Sequence, residues 1–426
     1  MITSLVFFLS ARQLVFTNSF ISLPILIRTG LAMDLWANLR QGRQGLVCSF
    51  FYPPLPTILF LPFVALKFHL HRFFFGYLVT SVMGGLTVFF IHKSAIRQAV
   101  PPLGRITLWI IFLLHPWCRL IFSGGNDSAF VFPLITGTLY GLLAWHQEEK
   151  VRHFTLVSLL PALALVSHPF GFILTASVFL ILAFSPVSIF CLHHRRQAIL
   201  LLYFFPAAYT GCLWLLGNWL IMGTWRYFLL GISGKNLFSY FLTPTEINTA
   251  YLCSLALVLA EMASFLLWGK GRNQEKFLCA LAGICLFAVA VVSLLFFPKA
   301  TKSLGELTYS WRQTWDQLSV DMTALSKSFP ESEIMVVDFS GYLFRYILPV
   351  ANQPIHLFDL ARTDFVPEKQ PAYLLLPSGK LTRWLPPDPF FHFYPDLLAQ
   401  TPAFLLREFV TPTFNLFRLI VILPEN

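Results

Sequence analysis

Two acids sit where long apolar runs give way to polar residues: Asp34 in LAMDLWANLRQG and Asp127 in SGGNDSAF. Apolar surroundings raise a carboxylate's pKa, which suits one such acid to act as a general base and the other to orient a reacting group. Cations stand near them in the chain. Arg28, Arg40 and Arg43 flank the first acid, Arg119 precedes the second, and His168, Arg226 and Lys235 lie in later turns. A phosphate leaving group needs partners of this kind, because charge-assisted hydrogen bonds hold its developing charge. Arg119, Arg226 and Lys235 are expected to reach inward, while most other boundary cations snorkel to lipid headgroups. Simpler roles also fit. Asn126 or Asp127 can cap the helix that begins at Ser128, and Asp34 can sit in the first turn of a helix.

The elements that position these groups follow from composition. The chain is 56% hydrophobic and 12% charged, against about 25% charged in ordinary soluble proteins, and its mean hydropathy is +0.68. Runs near 20 residues long carry almost no charge, the length that crosses about 30 Å of hydrocarbon. In lipid such runs satisfy their amides only as helices. The expected spans are 5–27, 73–92, 106–121, 128–146, 154–167, 170–190, 198–220, 250–268 and 277–297, with Arg12 interrupting the first.

Four basic clusters (Lys93 to Arg105, Glu148 to Arg152, His193 to Arg196, Lys270 to Lys276) recur two spans apart and fall on one face. The positive-inside rule makes that face cytoplasmic. The net charge of +10 thus reflects topology rather than nucleic-acid binding. Residues 53–66 (PPLPTILFLPFVAL) are too short to span and read as a re-entrant or interfacial segment. The segment around Asp34 reads as a helix lying on the membrane surface.

After Phe297 the pattern changes. A helix is expected over 309–329, and β-type runs at 333–339, 354–358, 372–376 and 416–423. The fold class is therefore mainly α, a polytopic bundle of about nine spans over residues 1–297. A small extracytoplasmic α/β domain occupies 298–426. The N-terminus is expected in the cytoplasm, in a plasma or inner membrane or its equivalent. The seven cysteines show no CxxC pair or zinc spacing. Signatures of nucleotide-binding loops, serine hydrolases and zinc proteases are missing.

The order of these motifs resembles the GT-C superfamily of membrane glycosyltransferases, which includes protein O-mannosyltransferases, lipid A aminoarabinose transferases and polyprenyl-phosphate-mannose-dependent mannosyltransferases. Asp34 matches the acid after the first span, and DLWANLRQGRQG the helix that follows it. Tyr52-Pro53-Pro54-Leu55 matches a proline motif, Lys93 to Arg97 a basic helix end, and Asn126-Asp127 the second acid. Ser167-His168-Pro169-Phe170-Gly171 is similar to a later Arg-Pro turn, with His168 in place of arginine.

The resemblance covers roughly residues 13–190. It implies transfer of a sugar from a polyprenyl-phosphate donor to a lipid, glycan or protein acceptor outside the cytoplasm, with inversion. Asp34 would deprotonate the acceptor, and Asp127 would complete the catalytic pair. Arg119, Arg226, Lys235 and His168 would hold the donor phosphate, and Tyr52, Pro53, Pro54 and Asn126 would line the substrate site. An oxocarbenium-like transition state beside a carboxylate agrees with that chemistry. No cofactor is called for, and a divalent metal is left open. A non-catalytic scaffold that binds a partner through the C-terminal domain, and a lipid or solute transporter, are the competing readings. Few polar groups at mid-span count against transport.

Overall fold

Prolines mark where the helices begin. In a computed structural model, Pro54, Pro102 and Pro116 each occupy the first residue of a helix, where a missing N–H costs nothing and the fixed φ suits the first turn. The described residues are 2–18, 23–37, 53–65, 74–114, 116–184, 196–223, 225 and five strands between 334 and 422.

Ten helices are described: α1 (Ile2–Asn18), α2 (Leu23–Ala37), α3 (Pro54–Ala65), α4 (Phe74–Arg97), α5 (Pro102–Leu114), α6 (Pro116–Ser123), α7 (Phe132–Glu148), α8 (Val151–Leu165), α9 (Phe170–Phe184) and α10 (Arg196–Met222). A 3-10 turn over Asp127–Phe130 leads into α7. Among the described residues three helices are long and apolar enough to cross a membrane: Phe75–Arg97, Asp127–Glu148 and Gln197–Ile221.

The expected spans are corrected in two places. The run 5–27 is shared by α1 and α2, and 106–121 is shared by α5 and α6, with Pro116 at the first residue of α6, a position where its missing N–H costs nothing. The spans expected at 154–167 and 170–190 are helices of 15 residues each. Those expected at 250–268 and 277–297 lie outside the described residues. The segment 53–66 forms the 12-residue α3 with Pro62 inside it. The segment around Asp34, expected as a helix on the membrane surface, belongs to α2 as far as Ala37, where Leu35 is buried and Trp36 exposed; residues 38–43 lie outside the described residues.

α4 is the shared element, packing against α1, α6 and α7, while α8 packs against α7, α9 and α10. Phe7, Phe122 and Ala129 form one core and Phe60, Phe75 and Phe130 another. A third runs from Val131 through Leu142, Val157 and Leu174 to Tyr203. Glycine makes one of these approaches possible: a Cβ at Gly171, opening α9, would collide with the Ala164 carbonyl near the end of α8. Buried hydroxyls close on carbonyls one turn back, as Ser81 does on Tyr77 (2.6 Å) and Thr138 on Leu134 (2.6 Å). The outer face of α10 displays Leu201, Leu202, Phe204, Phe205 and Trp219, a surface made for hydrocarbon rather than water.

Within 298–426 the strands are β1 (Ile334–Val336), β2 (Ile355–Leu357), β3 (Ala372–Pro377), β4 (Ala403–Val410) and β5 (Asn415–Ile422). They form one sheet in the order β2-β1-β3-β5-β4. β1 runs parallel to both neighbours, with Ile334 opposite Ile355 and Tyr373, whereas β5 runs antiparallel to β3 and β4. Four strands fall on the expected β-type runs. β4 was not anticipated, and its register shifts between Leu405 and Arg407 explain why: a bulge breaks the alternation by which a strand is recognised. The helix expected over 309–329 lies outside the described residues.

Candidate functional site

Arg28 is fully buried, and its guanidinium gathers three segments that are far apart in sequence. Nη2 and Nε donate to the two carboxylate oxygens of Asp127 at 3.1 and 3.4 Å. Nη1 donates to the Pro53 carbonyl at 2.7 Å and to the Thr57 hydroxyl at 3.1 Å. The planar fork of arginine matches a carboxylate in this two-point manner, which lysine cannot reproduce. A lone charge inside an apolar helix demands such partners. The helix α2, the opening of α3 and the turn before α7 are thereby tied to one cation.

The turn that presents Asp127 is built for it. Gly125 has φ of +71° and no room for a Cβ beside Ile25 and Tyr77, a conformation glycine adopts at little cost. Asn126 takes the capping role, its side-chain oxygen accepting from the Ser128 N–H (2.9 Å) and hydroxyl (2.7 Å). Since Asn126 caps, the Asp127 carboxylate is left for Arg28, and that side chain is 17% exposed.

The Ser167-His168-Pro169 turn joins the same assembly. The Leu55 N–H donates to the Val166 carbonyl at 2.9 Å, fastening the start of α3 to the end of α8. His168 is 2% exposed, and its Nδ1 accepts from the Phe170 N–H at 3.2 Å. Burial, and then the positive charge of Arg28, push its pKa down to about 3. The imidazole is therefore neutral at ordinary pH, with its proton on Nε2.

Of the expected site residues, Asp127, Asn126, Pro53, Pro54 and His168 fall in or beside this assembly. Pro54 is buried at the head of α3. Asp34 lies on α2, six residues beyond Arg28 and a rise of about 9 Å along the axis; its side chain, with Tyr52, Arg226 and Lys235, lies outside the described residues. Arg119 is corrected: it sits on α6 with its side chain exposed, and the inward-reaching cation is Arg28. One signal pointed to Arg28, a single charge interrupting the apolar run before Asp34.

A second polar assembly occupies the other end of α7. Glu148 pairs with Arg97 (2.5 Å), Lys150 (2.7 Å), His153 (3.3 Å) and Arg152 (3.5 Å). The Arg97 guanidinium also lies over the Tyr140 ring at 5.3 Å. Two of the four basic clusters expected on one face therefore touch. Asp127–Glu148 covers 22 residues, about 30 Å of helix, so the two polar assemblies are one hydrocarbon thickness apart. Among the described residues no group of three or more His, Cys, Asp or Glu side chains is placed to hold a metal ion.

No family model, curated protein or solved structure matches this chain.

Proposed function

We propose that this chain is a membrane glycosyltransferase that moves a sugar from a polyprenyl-phosphate donor to an acceptor at the Arg28–Asp127 end of the bundle. The observation that supports this most is the gathering of three segments on Arg28: the helix bearing Asp34, the Pro-Pro-Leu opening of α3 and the Asn126-Asp127 turn. These are the segments on which the resemblance to GT-C enzymes rests. Asp34 acts as the base that deprotonates the acceptor hydroxyl. Asp127, with both oxygens facing Arg28, orients the site rather than taking the proton. A lipid-borne donor approaches through apolar surface, which the bundle supplies along its length. This end of the bundle is extracytoplasmic, and the Glu148 end, rich in Arg and Lys, faces the cytoplasm.

The test is Asp34→Asn expressed in membranes that contain polyprenyl-phosphate sugars, with lipid-linked and protein-linked glycans compared by mass spectrometry. Loss of a product with unchanged insertion and expression is the expected result, and a chelator arm reports any metal requirement. Unchanged products from Asp34→Asn would remove the enzymatic reading. A scaffold is the second reading, favoured by the closure of Asp127 on protein groups alone. A stable co-purifying subunit, indifferent to Asp34 and Asp127 substitution, is its signature.

A further inference from the structure

The Glu148 end of the bundle also holds nitrogens that the protein itself does not use. His92 Nδ1 on α4, and Arg105 Nε and Trp109 Nε1 on α5, are buried atoms without a hydrogen-bond partner. α4 and α5 are joined by a short turn in which Val100 N–H donates to Ala95 and Arg105 N–H to Pro101. The first turns of α5 therefore lie beside the last turns of α4. Arg105 and Trp109 stand one turn apart on one face of α5, and the Trp109 ring centre is 4.9 Å from that of His92.

Guanidinium and indole N–H groups only donate, so Arg105 and Trp109 cannot satisfy each other, and His92 can accept from one at most. Buried donors are seldom left in this condition. Their shared complement is an acceptor with negative charge. The neighbourhood agrees: Lys93, Arg97, Arg105, Lys150 and Arg152 are five positive charges against Glu148 and Glu149, two negative ones. Each of the three side chains is half-buried and so partly reaches the surface. That surface is apolar, displaying Leu103, Ile106 and Ile110 on α5 and Phe89 and Ile96 on α4.

We infer that the α4–α5 seam binds the phosphate headgroup of an anionic phospholipid. Arg105 and Trp109 donate to its oxygens, and its acyl chains lie along the exposed apolar residues. A free phosphate shares the headgroup chemistry but leaves that apolar flank uncovered. This site lies on α4 about 18 Å beyond Thr80, which contacts Phe122 just before the Asp127 turn, and it stands whether or not the chain transfers sugar.

The experiment uses the purified full-length chain in detergent micelles. Phosphatidylglycerol, phosphatidylcholine or inorganic phosphate is added, and thermal unfolding and lipid retention by native mass spectrometry are measured. Phosphatidylglycerol should be retained and should raise Tm more than the other two. Arg105→Gln and Trp109→Phe should each weaken its binding about tenfold, the loss of one charge-assisted hydrogen bond. Trp109→Phe keeps the ring, so it carries the test if Arg105→Gln fails to fold. Equal retention by both variants, or equal stabilisation by phosphatidylcholine, would overturn the site. An equal shift with inorganic phosphate alone would overturn the lipid assignment in favour of a soluble anion.

Discussion

Arg28 on α2 holds both oxygens of Asp127, ninety-nine positions later in the chain, through two of its nitrogens at 3.1 and 3.4 Å. The arginine is fully buried and the acid 17% exposed, so the arginine has no route to water if the acid is removed.

Removing the acid should therefore cost more than removing the pair. Asp127→Asn leaves a buried guanidinium without its counter-charge, a loss of about 3–5 kcal/mol. The double variant Arg28→Met with Asp127→Asn should recover part of that loss, because the stranded charge is gone. Thermal unfolding of the four proteins in one detergent reads the coupling, and simple additivity would show that the pair is not a unit.

His168 predicts a pH dependence with a defined sign. Its folded-state pKa, about 3, lies below the ordinary 6.5, so the unfolded chain takes up a proton that the folded chain refuses. Its contribution is fully present above pH 6.5 and declines as pH falls toward 3. Tm measured between pH 7 and 4 should fall in the native chain, and the fall should be shallower in His168→Gln.

The turn before α7 allows two separable tests. Asn126→Ala removes the cap and should cost about 1 kcal/mol, whereas Asn126→Asp keeps an acceptor and should cost less. Gly125→Ala meets both a positive φ and the Ile25 and Tyr77 side chains, so a loss of about 1–3 kcal/mol is expected from overpacking and backbone strain. Stability curves for the three variants rank them directly.

Sidedness is open to labelling. In a chain freed of its native cysteines, Trp36→Cys on α2 and Glu149→Cys after α7 replace exposed residues. An impermeant maleimide added to sealed vesicles should reach one and not the other. Labelling of both from the same side would contradict α7 as a crossing helix.

Much of this arrangement was legible in the residues. Apolar length announces α4, α7 and α10, and the residue types at Pro53, Asp127 and His168 mark the turns that meet. Other parts turn on effects that periodicity does not carry. The run 5–27 is apolar enough to read as one span, yet it is shared by two helices. The run 106–121 is shared by α5 and α6 where hydropathy sees a continuous stretch. Arg28 looked like one more boundary cation, because its partners lie 25 to 99 positions away and no local pattern records them. Arg119 was favoured for its closeness to Asp127 in sequence, whereas α6 turns it outward.

The fastening between Leu55 and Val166 has a mechanical consequence. It is a main-chain bond, indifferent to acid and salt, whereas the grip on Glu148 at the opposite pole is made of partly exposed charges that electrolyte weakens. Raised ionic strength therefore weakens the ties that join α4, α7 and the start of α8 around Glu148, and leaves the Leu55–Val166 bond as it is.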